Sequence, residues 1–397
     1  MHASRVLAKA SGVRELSLEV ASSLPQRQFR KSSFRRDAET STRDACATHG
    51  RNDRHNRIVK KKLKVLVLFD GTSPTTLDQD FSKELKTKDW KTEADVMAAL
   101  GKLGHTAEHL AIYDDVDLVR QKLETCAPHV LFNLVEQFKN RPGFDQNIVS
   151  FFEMQDLPFT GCGSTGLTLC KDKGISKKIL HYHGIHVPHF VVIPRGQRIG
   201  RPKQLKLPVL VKPVKEEASY GISQASFVQN EEQFRERVAF IHEKYNSDAI
   251  AEEYIEGREL YVSIMGNVRL TVFPIRELVF REVPPNEPKI ATYNAKWDEE
   301  YRKRWGLENR FAEDLAPERV TNIQETCKDI YRLLTIDGYA RIDLRLTPEN
   351  KLYFIEANPN PILADDEDFA LSATKAGLSY PQLIGGIVRL GIKTVRD

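Results

Sequence analysis

An α/β protein made of three lobes is what the sequence predicts, and two patterns carry that prediction. From Leu63 to Asn133, short apolar runs alternate with helix-forming segments, the arrangement that builds a parallel sheet with helices on both faces. Toward the C-terminus, Tyr339-Ala340-Arg341-Ile342-Asp343-Leu344 and Phe354-Ile355-Glu356-Ala357-Asn358 each alternate polar with apolar residues about a Pro348-Glu349-Asn350 turn. That pattern reads as an antiparallel hairpin.

In chain order, Leu63 to Phe69 reads as a buried strand ending at Asp70-Gly71, and Glu93 to Leu103 as a helix. A strand near His109 to Ile112, a helix from Val116 to Thr125 and a strand from His129 to Asn133 follow. Ligands of open parallel sheets sit beyond the carboxyl ends of the strands, where Asp70, Gly71, Asn133 and Glu136 fall. The middle segment offers a helix from Lys173 to about His183, strands at Phe190 to Val192 and Pro208 to Pro213, a helix from Glu231 to Glu243, and a strand from Ala249 to Tyr254. The expected division is a leader over 1–61, an N-terminal parallel α/β domain over 62–160, a central lobe over 161–257 and a C-terminal lobe over 258–397.

A chain of 397 residues with 41% hydrophobic content is long enough for two or three packed domains. No apolar run approaches the ~20 residues needed to cross a bilayer, so no membrane span is expected. Up to and including Lys64 there are sixteen Lys or Arg against six Asp or Glu, a balance of +10 that leaves −6 for the rest of a chain carrying +4. Basic character therefore belongs to the leader, and no nucleic-acid partner is expected for the folded part.

The leader is rich in Arg, Ser and Thr with little sustained periodicity, the composition of a disordered segment. A transit peptide and a mis-assigned start codon both account for it, with Glu15, Glu19, Asp37, Glu39 and Asp44 speaking against the first. Five dispersed cysteines, Cys46, Cys126, Cys162, Cys170 and Cys327, form no Cys-x-x-Cys pair. They suit a reducing cytoplasm rather than a disulfide framework.

If the hairpin strands pair about their turn, Asp343 lies opposite Glu356 and Arg341 opposite Asn358, with Ile342, Leu344, Ile355 and Ala357 on the other face. Two carboxylates and an amide beside an arginine suit magnesium held against nucleotide phosphates, because magnesium prefers oxygen ligands and keeps sites for water and phosphate. For any single pair the alternative is an amphipathic hairpin with a solvated charged face.

Arg341-Ile342-Asp343 followed by Glu356-Ala357-Asn358-Pro359-Asn360-Pro361 resembles the metal-binding end of ATP-grasp enzymes, in particular the D-alanine:D-alanine ligase group. The likeness runs from about Lys62 to the C-terminus. It implies an ATP-grasp fold with the active site in the cleft between lobes, ATP and magnesium (or manganese) as cofactors, and Asp343, Glu356 and Asn358 as metal ligands. Lys173 and Lys212 correspond to lysines that contact nucleotide phosphates. The loop Val214 to Tyr220 corresponds to the one that closes over the phosphates, with Gly221 supplying backbone freedom and Ser219 and Tyr220 donating amides.

By the same resemblance, Glu252, Glu253, Tyr254 and Ile255, with Glu259, receive adenine and ribose. Lys296 matches a lysine that approaches the transferred phosphate, from a Pro-rich stretch between Val283 and Glu300 that reads as a lid without obvious structure. Arg341 corresponds to the residue that stabilises the oxyanion of the tetrahedral intermediate, and Glu136, Trp297 and Asn360 are candidate substrate residues. The implied reaction phosphorylates a substrate carboxylate and lets an amine attack the acyl phosphate. The resemblance also implies a cytoplasmic homodimer, amino-acid or amine substrates and a link to peptidoglycan.

Substrate positions depart from the group. Thr75 replaces the glutamate that holds the first substrate's amine, Glu136 stands in place of a histidine, Trp297 in place of a tyrosine, and Ala218 in place of a serine. Pro361-Ile362-Leu363 replaces Pro-Gly-Met, and Ala364-Asp365-Asp366-Glu367-Asp368 replaces small hydroxylated residues. That acidic run either attracts an amine or begins a helix. The expectation is an ATP-dependent carboxylate–amine ligase, with a ligase for another substrate pair and a non-catalytic ATP-binding regulator as the alternatives.

Overall fold

The computed structural model describes residues 62–75, 77–216, 219–284 and 287–393. The leader over 1–61 and Ala218 lie outside the described residues. Lys64–Asp70 (β1), Lys91–Lys102 (α1), Thr106–Ile112 (β2), Asp117–Cys126 (α2), Val130–Leu134 (β3) and Asp145–Met154 (α3) form the first lobe, its parallel strands in the order β2-β1-β3. The two-residue period of a strand sorts the faces. Leu66 and Leu68 join a core with Val119 of α2 and Phe152 of α3, whereas Val65, Val67 and Phe69 join another with Val96 and Leu100 of α1. Helices thus cover both faces, as the alternating pattern predicts.

Ser164–Lys171 (α4) and Lys173–Tyr182 (α5) lead into a four-stranded antiparallel sheet. Its strands are Phe190–Ile193 (β4), Val209–Pro213 (β5), Phe227–Val228 (β6) and, after the helix Glu231–Lys244 (α6), Ala249–Glu253 (β7), in the order β4-β7-β5-β6. Phe234, Val238 and Ile241 of α6 fill the core against Val209, Val211 and Ala251. Asp172 caps α5, accepting from the amides of Gly174 and Ile175 at 3.0 and 2.9 Å. This cap fixes Lys173 as the first helical residue.

The remaining elements are Arg258–Met265 (β8), Thr271–Val272 (β9), Arg276–Phe280 (β10), Tyr293–Trp297 (α7), Glu299–Arg304 (α8), Leu307–Phe311 (β11), Pro317–Leu333 (α9), Tyr339–Leu346 (β12), Leu352–Pro359 (β13), Asp368–Lys375 (α10) and Tyr380–Lys393 (α11). Strands run in the order β11-β10-β8-β12-β13, with β9 on β8. The expected hairpin register holds, with Asp343 paired to Glu356 and Arg341 to Asn358. A register shift follows Asp343, so that Leu344 pairs with Phe354 and Ile355 is skipped.

That bulge corrects one expectation. Phe354 occupies the core position, while Ile355, expected beside Ile342 and Leu344, lines the cleft instead. The stretch expected to be a structureless lid also carries α7 and α8, capped by Thr292 and Asp298. Finally, α11 returns to the first lobe, where Leu383, Ile384, Ile387 and Val388 share a core with Val65, Phe69 and Leu100. Among the described residues no helix is long and apolar enough to cross a membrane.

Leu344 is fully buried beneath the hairpin. Replacing it with alanine should cost about 3–5 kcal/mol of unfolding free energy, the scale of a buried leucine truncation. Urea unfolding checks this, and a cost below about 1 kcal/mol would contradict the packing described.

Candidate active site

Two cavities meet over the paired strands β12 and β13. The first, of about 700 Å³, is lined by Leu210, Ile222, Ile255, Ile290 and Ile355 on its apolar side. Its polar side carries Lys212, Ser219, Glu252, Glu253, Tyr254, Glu259, Lys296, Asp343, Arg345 and Glu356. The second, of about 1190 Å³, is lined by Arg341, Asn358, Asn360, Glu136, Trp297, Arg302, Glu367 and Asp368, and shares Lys296 with the first.

Charges in and around the first cavity are tightly matched. Lys212 Nζ lies 2.6 Å from Glu252 Oε1, and Lys177 Nζ lies 3.3 Å from Glu252 Oε2. Lys173 Nζ donates to the carbonyl of Glu216 at 2.5 Å and sits 3.6 Å from Glu356 Oε2. Despite burial, Lys173, Lys212, Lys296 and Arg341 hold the Glu356 carboxyl well below the usual range. Burial pulls Lys177 down to about 8 against the attraction of Glu252, and against burial Lys177 and Lys212 hold the Glu252 carboxyl down.

Arg341 grips Asp343 through two bonds, Nε to Oδ1 at 2.8 Å and Nη2 to Oδ2 at 2.9 Å, and its guanidinium lies 4.9 Å from the ring centroid of Tyr261. Asn358 Nδ2 donates to Asp343 Oδ2 at 3.1 Å. Burial pushes the Asp343 carboxyl up, with Glu356 adding to the push and Arg341 opposing it. Among the described residues no three His, Cys, Asp or Glu side chains form a metal cage. The two carboxylates and amide nonetheless fit a hard cation whose remaining ligands come from phosphate and water.

Over this floor the turn at Ser219 to Ile222 and the segment at Ala291 to Tyr293 are bonded together. Ser219 Oγ donates to the carbonyl of Ala291 at 2.8 Å, the amide of Tyr293 donates to the carbonyl of Ile222 at 3.0 Å, and the rings of Tyr220 and Tyr293 lie 5.2 Å apart. Gly221 has φ +72°, and a Cβ there would meet Pro213 Cγ at 2.8 Å. Only glycine suits that turn.

Most expected site residues therefore come together, while some carry other duties. Asn360 lines the second cavity, but its Oδ1 accepts from the amide of Cys162 at 2.8 Å. Glu259 is held by Arg345 at 2.6 Å and by the Tyr261 hydroxyl at 2.8 Å. In the acidic run, Asp365 and Asp366 pair with Lys91, Asp368 pairs with Arg276, and α10 begins at Asp368. The helix-start reading holds for Asp368, and Glu367 and Asp368 also face the second cavity.

Sequence reasoning missed Lys177, Arg345 and Arg302. The signal for Lys177 was its place four residues after Lys173 on one helix face, and for Arg345 its place on the same strand face as Arg341 and Asp343. Arg302 gave no signal. Its guanidinium donates to the carbonyl of Ala295 at 2.5 Å and to Asn309 Oδ1 at 3.1 Å, bracing α7.

Residues 179–389 match the family model described as D-ala D-ala ligase C-terminus. The Sinorhizobium fredii protein y4sG is 31% identical over 300 residues, covering 74% of this chain and 85% of that protein. A D-alanine–D-alanine ligase from Aquifex aeolicus is 27% identical, covering 82% of this chain and all of the relative, 100%. Among solved structures, D-alanine–D-alanine ligase from Bacillus anthracis complexed with ATP superposes with a TM-score of 0.65 at 20% identity, covering 83% of this chain and 98% of that one. That last likeness concerns the fold.

A third cavity, of about 1180 Å³, adjoins the second through Glu136 and is lined by Asp70, Asp89 and Glu93. The amides of Glu136 and Gln137 donate to Asp70 Oδ1 at 3.1 and 3.2 Å. Burial, with Glu136 nearby, pushes the Asp70 carboxyl up from 3.8 to about 8. The unfolded chain ionises at the lower value while the folded one keeps its proton, so this group makes stability fall as pH rises between them. Asp70→Asn keeps the acceptor without the titration. The variant should melt with the wild type near pH 4 and increasingly above it toward pH 8, and a gap independent of pH in thermal melts would contradict this.

Proposed function

The chain belongs to the D-alanine–D-alanine ligase family, and from that membership we propose that it joins a carboxylate to an amine at the expense of ATP. The observation that carries the reading is the convergence of Lys173, Lys212, Glu356, Asp343 and Arg341 where two cavities meet, with Lys296 on the wall of both. The first cavity takes ATP, with adenine among Leu210, Ile255 and Ile355 and the phosphates toward Lys212. The second takes the reacting substrates.

Lys173, Lys212 and Lys296 balance the phosphate charge. Asp343, Glu356 and Asn358 would hold magnesium, which when bound neutralises charge on the phosphates. A substrate carboxylate oxygen attacks the terminal phosphorus and ADP leaves. The amine nitrogen then attacks the acyl carbon, the amide bond forms, and phosphate leaves with the loss of one proton.

Asp343 takes the Nε and Nη2 donors of Arg341, which leaves its Nη1 donors for the oxyanion that develops at the acyl carbon. Such fixed charge, aimed before the reaction begins, is the larger part of what a protein adds to group transfer of this kind. Residues 62–160, 161–257 and 258–397 are assigned as the three lobes around the cleft. The relatives' substrate, D-alanine, is one candidate here; Glu136 and Glu367 beside Lys296, Arg302 and Arg341 on the second cavity suit substrates that present both an amine and a carboxylate.

Phosphate release with ATP and magnesium, across a panel of amino acids and amines with products weighed by mass spectrometry, tests the reading. An amide product supports it, and ATP binding without any product would turn the assignment to a regulator. Asp343→Ala and Glu356→Ala should each lower turnover by about 10²-fold or more, the scale of a lost electrostatic contact in the transition state, while circular dichroism is unchanged. Normal turnover in both would remove the proposed metal site.

A further inference from the structure

Lys177 is fully buried and is absent from the walls of the nucleotide cleft, whereas Lys212 and Glu252 line it. Its Nζ donates to the carbonyl of Ile355, lies 3.3 Å from Glu252 Oε2, and sits 5.2 Å from the ring centroid of Phe354. One side chain of α5 thus touches both β7, through Glu252, and β13, next to Glu356. Lys212 takes Glu252 Oε1 at 2.6 Å, and Lys177 supplies the charge that faces Oε2.

A single lysine and a single carboxylate buried together form a closed pair, and drawing the lysine away strands an uncompensated carboxylate at high cost. Two lysines on one carboxylate leave one positive charge over. We infer that Lys177 is a positioning residue for the phosphate site: it neutralises Glu252, so that the charge of Lys212 stays available to the phosphates of a nucleotide. The bond to Ile355 keeps Lys177 in place while Lys212 shifts. This rests on the reading of the first cavity as the ATP site, because it assigns Lys212 to the phosphates.

The test is the ratio of ATP affinity to adenosine affinity, measured by calorimetric competition on the full chain, since only the phosphates separate the two ligands. Lys177→Met should lower that ratio by about tenfold or more, the scale of a lost charged contact, with adenosine affinity little changed. Adding Glu252→Gln to Lys177→Met should restore the ratio, because Lys212 is no longer captured. A merely structural lysine would give neither the selective loss nor the recovery.

An unchanged ratio in a folded Lys177→Met variant overturns the inference, as does a loss that persists in the double variant. If Lys177→Met does not fold, Glu252→Gln alone decides: a ratio kept or raised supports the inference, and a fall of about tenfold overturns it. A wild-type ratio near one would overturn the ATP-site reading itself, and the inference with it.

Discussion

Asp343 and Glu356 face one another across β12 and β13, and two carboxylates brought so close in a buried floor repel unless cations surround them. The surrounding elements supply those cations. Arg341 comes from the same strand as Asp343, Lys173 from the first turn of α5, Lys212 from the end of β5, and Lys296 from α7. Charge from β5, α5, α7 and β12 thus converges on the same two carboxylates.

The same constraint explains the loops above the floor. Lys173 reaches the carbonyl of Glu216, Ser219 reaches that of Ala291, and Arg302 braces the carbonyl of Ala295. Each bond ties one segment of the cleft to another that carries, or lies beside, Lys173, Lys212 or Lys296. A catalyst of phosphoryl transfer gains from such fixation, because positioning and electrostatics do most of its work.

Much of this was legible along the chain because strand periodicity is local. Alternation in Arg341-Ile342-Asp343 and Glu356-Ala357-Asn358 was enough to set the register and the polar face. The bulge was not legible: Phe354 and Ile355 are both apolar, so their order says nothing about which of them enters the core. Lys177 sits four residues after Lys173 on one helix face, but its pairing with Glu252 joins residues 75 positions apart and arises only in three dimensions. The helices α7 and α8 carried capping signals in Thr292 and Asp298, which the neighbouring prolines obscured.

The second and third cavities are lined by the carboxyl groups of Glu136, Glu367, Asp368 and Asp70, and the second also by Lys296, Arg302 and Arg341. Whether the carboxylate is activated as an acyl phosphate is settled isotopically: supply the accepted acid with ¹⁸O in its carboxylate and weigh the phosphate released. Activation as an acyl phosphate predicts one ¹⁸O in each phosphate formed during amide synthesis. Phosphate free of label, alongside normal amide formation, would contradict the account.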